Sequence, residues 1–157
     1  MALETFSSKA RSGETHIEAV QERFPGVIKS VEWVQDYQPV VTVDRDRAPE
    51  VIEFLYYDRG GWMPVMVGND ERSLRDCYAL YYVLSMEETD TCVMQVRVEV
   101  DPKDLTFKSV SPRVPAAVWP EREVQDMFGL KAEGIIDNRN LVLPDDWPQG
   151  LYPLRKD

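Results

Sequence analysis

Apolar positions change their spacing several times along the chain, and each change marks an element. Ile17, Val20 and Phe24 recur at three- and four-residue intervals until Pro25-Gly26 stops them, which predicts a first helix. Thr15-His16-Ile17-Glu18 at its start reads as a capping box, in which a Thr hydroxyl and a Glu carboxylate serve the free N–H groups of the first turn. Residues 27–34 and 39–43 are β-branched and partly alternating, so they predict two strands in a hairpin across residues 35–38. Asp46 and Pro49 then open a second helix with Val51, Ile52, Phe54 and Leu55 on its apolar face, and Gly60-Gly61 closes it. Residues 62–67 predict a short strand that Pro64 confines to a sheet edge, and Gly68-Asn69-Asp70 reads as a turn. Residues 77–86 are dense in Tyr and Leu and favour a strand. Residues 91–100 alternate cleanly, with Cys92, Met94, Val96, Val98 and Val100 on one side and Val93, Gln95, Arg97 and Glu99 on the other. Residues 62–100 therefore predict a three-stranded meander. The order α-β-β-α-β-β-β predicts a single α+β domain with its helices on one face of a sheet.

After Asp101 the periodicity fades, and Pro102, Pro112, Pro115 and Pro120 punctuate the next stretch. One more short helix follows. Pro120 suits a first turn, Glu121 and Glu123 lie where the helix dipole favours anions, and Arg122 and Asp126 are spaced to pair at i,i+4. Val124, Met127 and Phe128 form its apolar face, and Gly129 is a natural helix terminator. Pro144, Pro148 and Pro153 then forbid a long helix. The expected organisation is a frayed tail over residues 1–13, the α+β domain over 14–129, and an extended C-terminal arm over 130–157. Such an arm cannot bury a core alone, so it must lie over its own domain or over another chain. Arg139, Arg155 and Lys156 are its candidate carboxylate partners.

Composition narrows the function. The formal charge is −10, which argues against nucleic acid and against unaided docking to an anionic lipid surface. The chain has two cysteines and one histidine, whereas a structural zinc or an iron–sulfur cluster takes about four ligands, so no redox cofactor or metal site is expected. Cys77 and Cys92 read as small buried apolar side chains in a reducing compartment. No run approaches the ~18 apolar residues of a membrane span, and residues 1–13 lack the apolar stretch of a secretory signal.

Each candidate group has a structural and a chemical reading. Glu123 and Asp126 are i,i+3 neighbours, which leaves a divalent ion site with Glu121 geometrically open; helix capping and pairing with Arg122 or with a partner's cations compete with it. Asp145-Asp146 after Pro144 leaves metal binding open, but Pro144-Asp145-Asp146-Trp147 better fits a turn in which an Asp side chain accepts from backbone N–H groups. Trp119 and Trp147 fit interface anchors and core residues equally. His16 has no nucleophile beside it in sequence.

Three ordered blocks carry a resemblance. Glu121-Arg122-Glu123 with Asp126-Met127-Phe128-Gly129, then Leu143-Pro144-Asp145-Asp146-Trp147, then Pro153-Leu154-Arg155-Lys156-Asp157, resemble the C-terminal signature of the 30 kDa-type subunit of NADH:quinone oxidoreductase, respiratory complex I, and its relatives in energy-converting NiFe hydrogenases. Tyr81-Tyr82-Val83-Leu84-Ser85-Met86 looks like that family's Tyr-x-Leu-Leu-Ser strand, and residues 96–101 look like the strand after it. The resemblance is strong over about 40 residues and looser elsewhere. It implies a hydrophilic accessory subunit that binds no redox cofactor. Such a subunit packs beside the large subunit that forms the quinone pocket or the nickel–iron site, near iron–sulfur subunits, and is peripheral to the inner face of the cell membrane through the complex. It also implies that the residues of the three blocks, with Trp119 and Arg139 beside them, belong to the subunit interface. Two departures stand out. Residues 132–140 read Ala-Glu-Gly-Ile-Ile-Asp-Asn-Arg-Asn, without the His-Pro that the family usually carries there, and complex I versions commonly continue past the last block into a tail that wraps the large subunit. Both tilt the parent complex toward a hydrogenase of the formate hydrogenlyase or carbon monoxide-induced kind, with complex I still open. A stand-alone adaptor, or an enzyme using a carboxylate-bound metal, is the alternative outside any redox complex.

Overall fold

A computed structural model describes residues 11–156. The frayed tail expected over residues 1–13 falls, for residues 1–10, outside the described residues. The chain runs α1 (Glu14–Arg23), β1 (Ile28–Gln35), β2 (Gln38–Val43), α2 (Ala48–Glu53) with a π-helical turn (Phe54–Asp58), β3 (Gly61–Asp70), α3 (Arg72–Arg75), β4 (Tyr78–Met86), β5 (Cys92–Val100), β6 (Thr106–Lys108), a 3₁₀ turn (Pro115–Ala117), α4 (Val118–Phe128) and β7 (Lys131–Glu133). The fold is the expected α+β domain.

The five long strands form one mixed sheet in the order β1-β2-β5-β4-β3. The hairpin β1–β2 and the meander β3–β4–β5 are antiparallel, as their short connections require. They join by parallel pairing of β2 with β5, Val40–Val43 beside Gln95–Val98, which the sequence order did not disclose. Alternation sorts the faces. Leu80, Tyr82 and Leu84 of β4 and Met94, Val96 and Val98 of β5 are buried in one core with Ile17 and Val20 of α1, Val51 and Ile52 of α2, and Val124, Met127 and Phe128 of α4. Pro64 lies on edge strand β3 beside a register shift between Trp62 and Val65, where its missing N–H costs no ladder bond.

Three expectations change. Thr15 does not cap α1. The N-cap is Gly13 with no side-chain bond, and Asp90, in the turn between β4 and β5, accepts from the Thr15 N–H at 3.0 Å and the Thr15 hydroxyl at 2.7 Å. A distant carboxylate does the work that the local box would do. Second, residues 68–70 are not a turn but the end of β3, paired with β4 as far as Asp70–Tyr78. The reversal comes later, through α3. Third, residues 131–133, expected in the arm, form β7, which pairs in parallel with β6 as a small second sheet.

The sheet's other face is polar at one end. Arg97, only 2% exposed, donates to Glu71 at 2.7 Å and Glu99 at 2.6 Å, and contacts the Tyr81 hydroxyl at 3.2 Å. Burial pushes the Glu71 carboxyl up, but the Tyr81 and Arg97 bonds outweigh it and leave Glu71 below its ordinary range. His16 is fully buried. Its Nε2 contacts the Thr89 carbonyl at 2.8 Å and its Nδ1 lies 3.3 Å from the Arg59 Nε. With Arg59 donating, Nδ1 is the acceptor and the proton sits on Nε2. His16 thus ties α1 to the β4–β5 turn and faces no open cleft.

Candidate functional site

Helix α4 brings most of the motif residues together, and it uses them to hold the arm. The helix ends at Gly129 in the left-handed region, φ 68°. A Cβ there would also run into the Tyr152 ring, so the position excludes side chains twice over.

The helix presents two polar faces. Inward, Glu121 is fully buried and its carboxylate accepts from Ser109 Oγ at 2.5 Å, Val110 N–H at 2.7 Å and Tyr82 OH at 3.1 Å. Burial pushes its pKa up, and those bonds pull against the rise. Burial likewise pushes the Tyr82 hydroxyl well above its ordinary value, so it stays a donor. The expected role of Glu121, a helix-capping carboxylate pairing with Arg122 or with a partner's cations, is replaced by that of a core anchor joining α4, β4 and the loop after β6.

Outward, Arg122 and Asp126 do not pair with each other. Arg122 donates to the carbonyls of Arg139 at 2.8 Å and Asn140 at 2.9 Å, and to Asp137 at 3.1 Å. Asp126 Oδ2 accepts three successive backbone N–H groups, Leu141 at 2.9 Å, Val142 at 2.8 Å and Leu143 at 3.1 Å. Between them, Gln125 binds Asn138 and the Ala132 N–H. One cation thus takes arm carbonyls and one carboxylate takes arm N–H groups, so residues 139–143 are fixed through their backbone, while Asp137 and Asn138 are held through their side chains.

The later blocks return to the domain. Leu154 N–H donates to the Met127 carbonyl at 3.1 Å, and Arg155 Nε to the Phe128 carbonyl at 2.8 Å. The Arg155 guanidinium lies 4.3 Å from the Tyr152 ring centre and 5.6 Å from that of Tyr78, whose ring meets Phe128 edge-on. Lys156 binds Asp70 twice, through its N–H at 2.9 Å and through Nζ to the carbonyl at 3.1 Å. Arg72 bonding holds the Asp70 carboxyl well below its ordinary value, against burial and with help from the Lys156 N–H. Arg155 and Lys156, expected to seek carboxylates, are used on a carbonyl, two rings and Asp70 of their own chain. Arg139 pairs with Asp137 at 2.7 Å.

The remaining motif residues face outward. Trp147 N–H closes the turn on the Pro144 carbonyl at 3.0 Å, and its indole N–H donates to Leu151 O. Asp145, Asp146 and Pro153 are exposed. Trp119 is 68% exposed and is not a core residue. Glu123 is exposed, so Glu121, Glu123 and Asp126 face a buried loop, solvent and the arm, and do not assemble one ion site. Among the described residues no group of three or more His, Cys, Asp or Glu side chains is placed to hold a metal ion. Sequence reading missed Asp70, Tyr82, Ser109, Gln125 and Tyr152, which lie outside the quoted blocks or at their variable positions. A glycine directly after the helix was the one available signal for Tyr152.

This architecture is a mixed-sheet α+β module with its C-terminal segment strapped to a short helix. Residues 41–157 match the family described as the 30 Kd subunit of respiratory-chain NADH dehydrogenase, and the chain belongs to that family. It is 55% identical over 150 residues to formate hydrogenlyase subunit 5 of Escherichia coli (strain K12), covering 96% of this chain and 26% of that protein. It is 48% identical over 151 residues to hydrogenase-4 component G of the same organism, covering 96% of this chain and 27% of that one. The chain thus spans about a quarter of the length of these relatives. Its fold matches a chain of the membrane-bound sulfane sulfur reductase, an archaeal respiratory membrane complex, with a TM-score of 0.70 and 25% identity, covering 92% of this chain and 84% of that one.

Proposed function

We propose that this chain is a non-redox accessory module of a membrane-attached electron-transfer complex, of the energy-converting hydrogenase type in preference to complex I. In this reading it packs against the large catalytic part of the complex, beside iron–sulfur subunits, and supports assembly. The hydrogenase preference rests on the identities to formate hydrogenlyase subunit 5 and hydrogenase-4 component G, and on the absent His-Pro in residues 132–140.

The observation that carries the reading is the strapped arm. Arg122 and Asp126 hold its backbone, while Leu141, Val142, Leu151 and Leu154 point outward, each more than a third exposed. A segment fixed in place with its apolar side chains turned away from its own core suits contact with another polypeptide. Among the described residues no helix is long and apolar enough to cross a membrane.

The test is co-expression with the complete set of complex subunits. Deleting residues 134–156 is expected to abolish recovery of the chain with the large catalytic subunit and to abolish the activity of the complex. Full activity and intact assembly with the deleted chain overturns the reading.

A further inference from the structure

Beside the clasp runs an apolar seam that no described residue covers. Trp119 and Leu141 line a groove along the start of α4, and Val65, Val67 and Leu154 line a second between α4 and edge strand β3. The two grooves share Glu123. Val67 continues the surface onto the outer sheet face, toward half-buried Val83. Trp119 is 68% exposed, Leu154 52%, and Val67 47%. Large apolar side chains gathered on one face mark contact surfaces, and Trp is enriched among their anchors.

The charge at the centre of the seam selects its occupant. Glu123 is exposed, and its carboxylate makes no ion pair or hydrogen bond with a described residue. Its neighbours Arg122 and Asp126 are both committed to the arm. Covering the seam with purely apolar or acidic material would bury an uncompensated carboxylate, which is strongly unfavourable. An anionic lipid surface carries the wrong sign, and the chain's own charge of −10 opposes it further. A guanidinium or ammonium flanked by apolar side chains satisfies both the carboxylate and the two grooves. The first two relatives carry about three-quarters of their length beyond the part matched here, so a module of this kind travels with a large companion.

We propose that this seam is the docking surface for the large catalytic companion, and that it receives an apolar segment of that companion bearing one Arg or Lys opposite Glu123. The proposal rests on the function given above and adds the surface and the chemistry of the contact.

The experiment uses the full chain in cells expressing the whole complex. A photo-cross-linking residue replaces Trp119 or Val67, with Tyr57 on the π-helical turn as a control. Cross-links from positions 119 and 67 to the large subunit, at a segment with a basic residue between apolar ones, and none from 57, are the expected result. Glu123→Arg should lower recovery of the large subunit about tenfold, with unchanged thermal unfolding of the isolated chain, and Glu123→Gln about threefold. An acidic replacement of the basic residue found by cross-linking should rescue Glu123→Arg. An assembled complex cross-linked only from other positions, or cross-links to lipid, overturns this docking surface and leaves the proposed function standing. A chain that never enters the complex overturns both.

Discussion

Leu80, Leu84 and Val96 in the sheet are completely buried, whereas Leu141, Val142 and Leu154 in the arm stand in solvent. The sheet is held by non-directional burial, which accepts side chains of the right size and rejects gaps. The arm is held by directed bonds from Arg122, Asp126, the Met127 and Phe128 carbonyls and Asp70, most of them to arm backbone, with the side chains of Asp137, Arg155 and Lys156 adding the rest. Bonds to backbone fix a path without specifying the side chains along it. The arm's sequence is therefore free to serve another surface, while the sheet's is not.

The contrast can be broken by substitution. Leu84→Ala should have the largest effect, ~4 kcal/mol of global stability in urea unfolding, because the site is packed on all sides. Below the transition, the arm should keep its resistance to protease. Glu121→Ala should cost ~3 kcal/mol by leaving Tyr82 OH, Ser109 Oγ and Val110 N–H buried without an acceptor, and Glu121→Gln clearly less. Asp126→Ala should cost only ~1–2 kcal/mol yet speed proteolysis within residues 134–150 at least tenfold, with slow-exchanging sheet amides unchanged. If the sheet amides accelerate in step, arm and sheet are one cooperative unit and the contrast fails. Asp70→Asn should have the smallest effect, ~1 kcal/mol near neutral pH. The sign follows from its lowered pKa: the ionised form is favoured in the folded chain, so its contribution is present above the ordinary value of 3.8 and fades as pH falls. Acid unfolding followed by circular dichroism below about pH 4 should be shallower in Asp70→Asn.

The same physics decides what the sequence discloses. Alternation in β5 and the three-to-four spacing in α1 and α2 exist because one side of each faces the core, so those elements were legible from order alone. The parallel join of β2 to β5 leaves no local mark, since it depends on how two separately legible hairpins meet. At the clasp, Arg122 and Asp126 were visible as a pair and Gly129 as a terminator, but their partners are carbonyls and N–H groups that any residue supplies. The bonds to the Arg139 and Asn140 carbonyls and to the N–H groups of residues 141–143 therefore form whatever side chains those positions carry. Thr15 illustrates the opposite error. A local capping box was present in sequence, yet Asp90, 75 positions away, took the site.

The capping of α1 by Asp90 also orders events in time. A ten-residue helix is marginal in water by itself, and this one has its free N-terminal groups served only when the turn between β4 and β5 exists. His16 depends on Thr89 of the same turn. Helix α1 therefore locks only once residues 89 and 90 are in place. Its docking is expected to follow the β4–β5 turn in folding, an order that pulse-labelled hydrogen exchange would read.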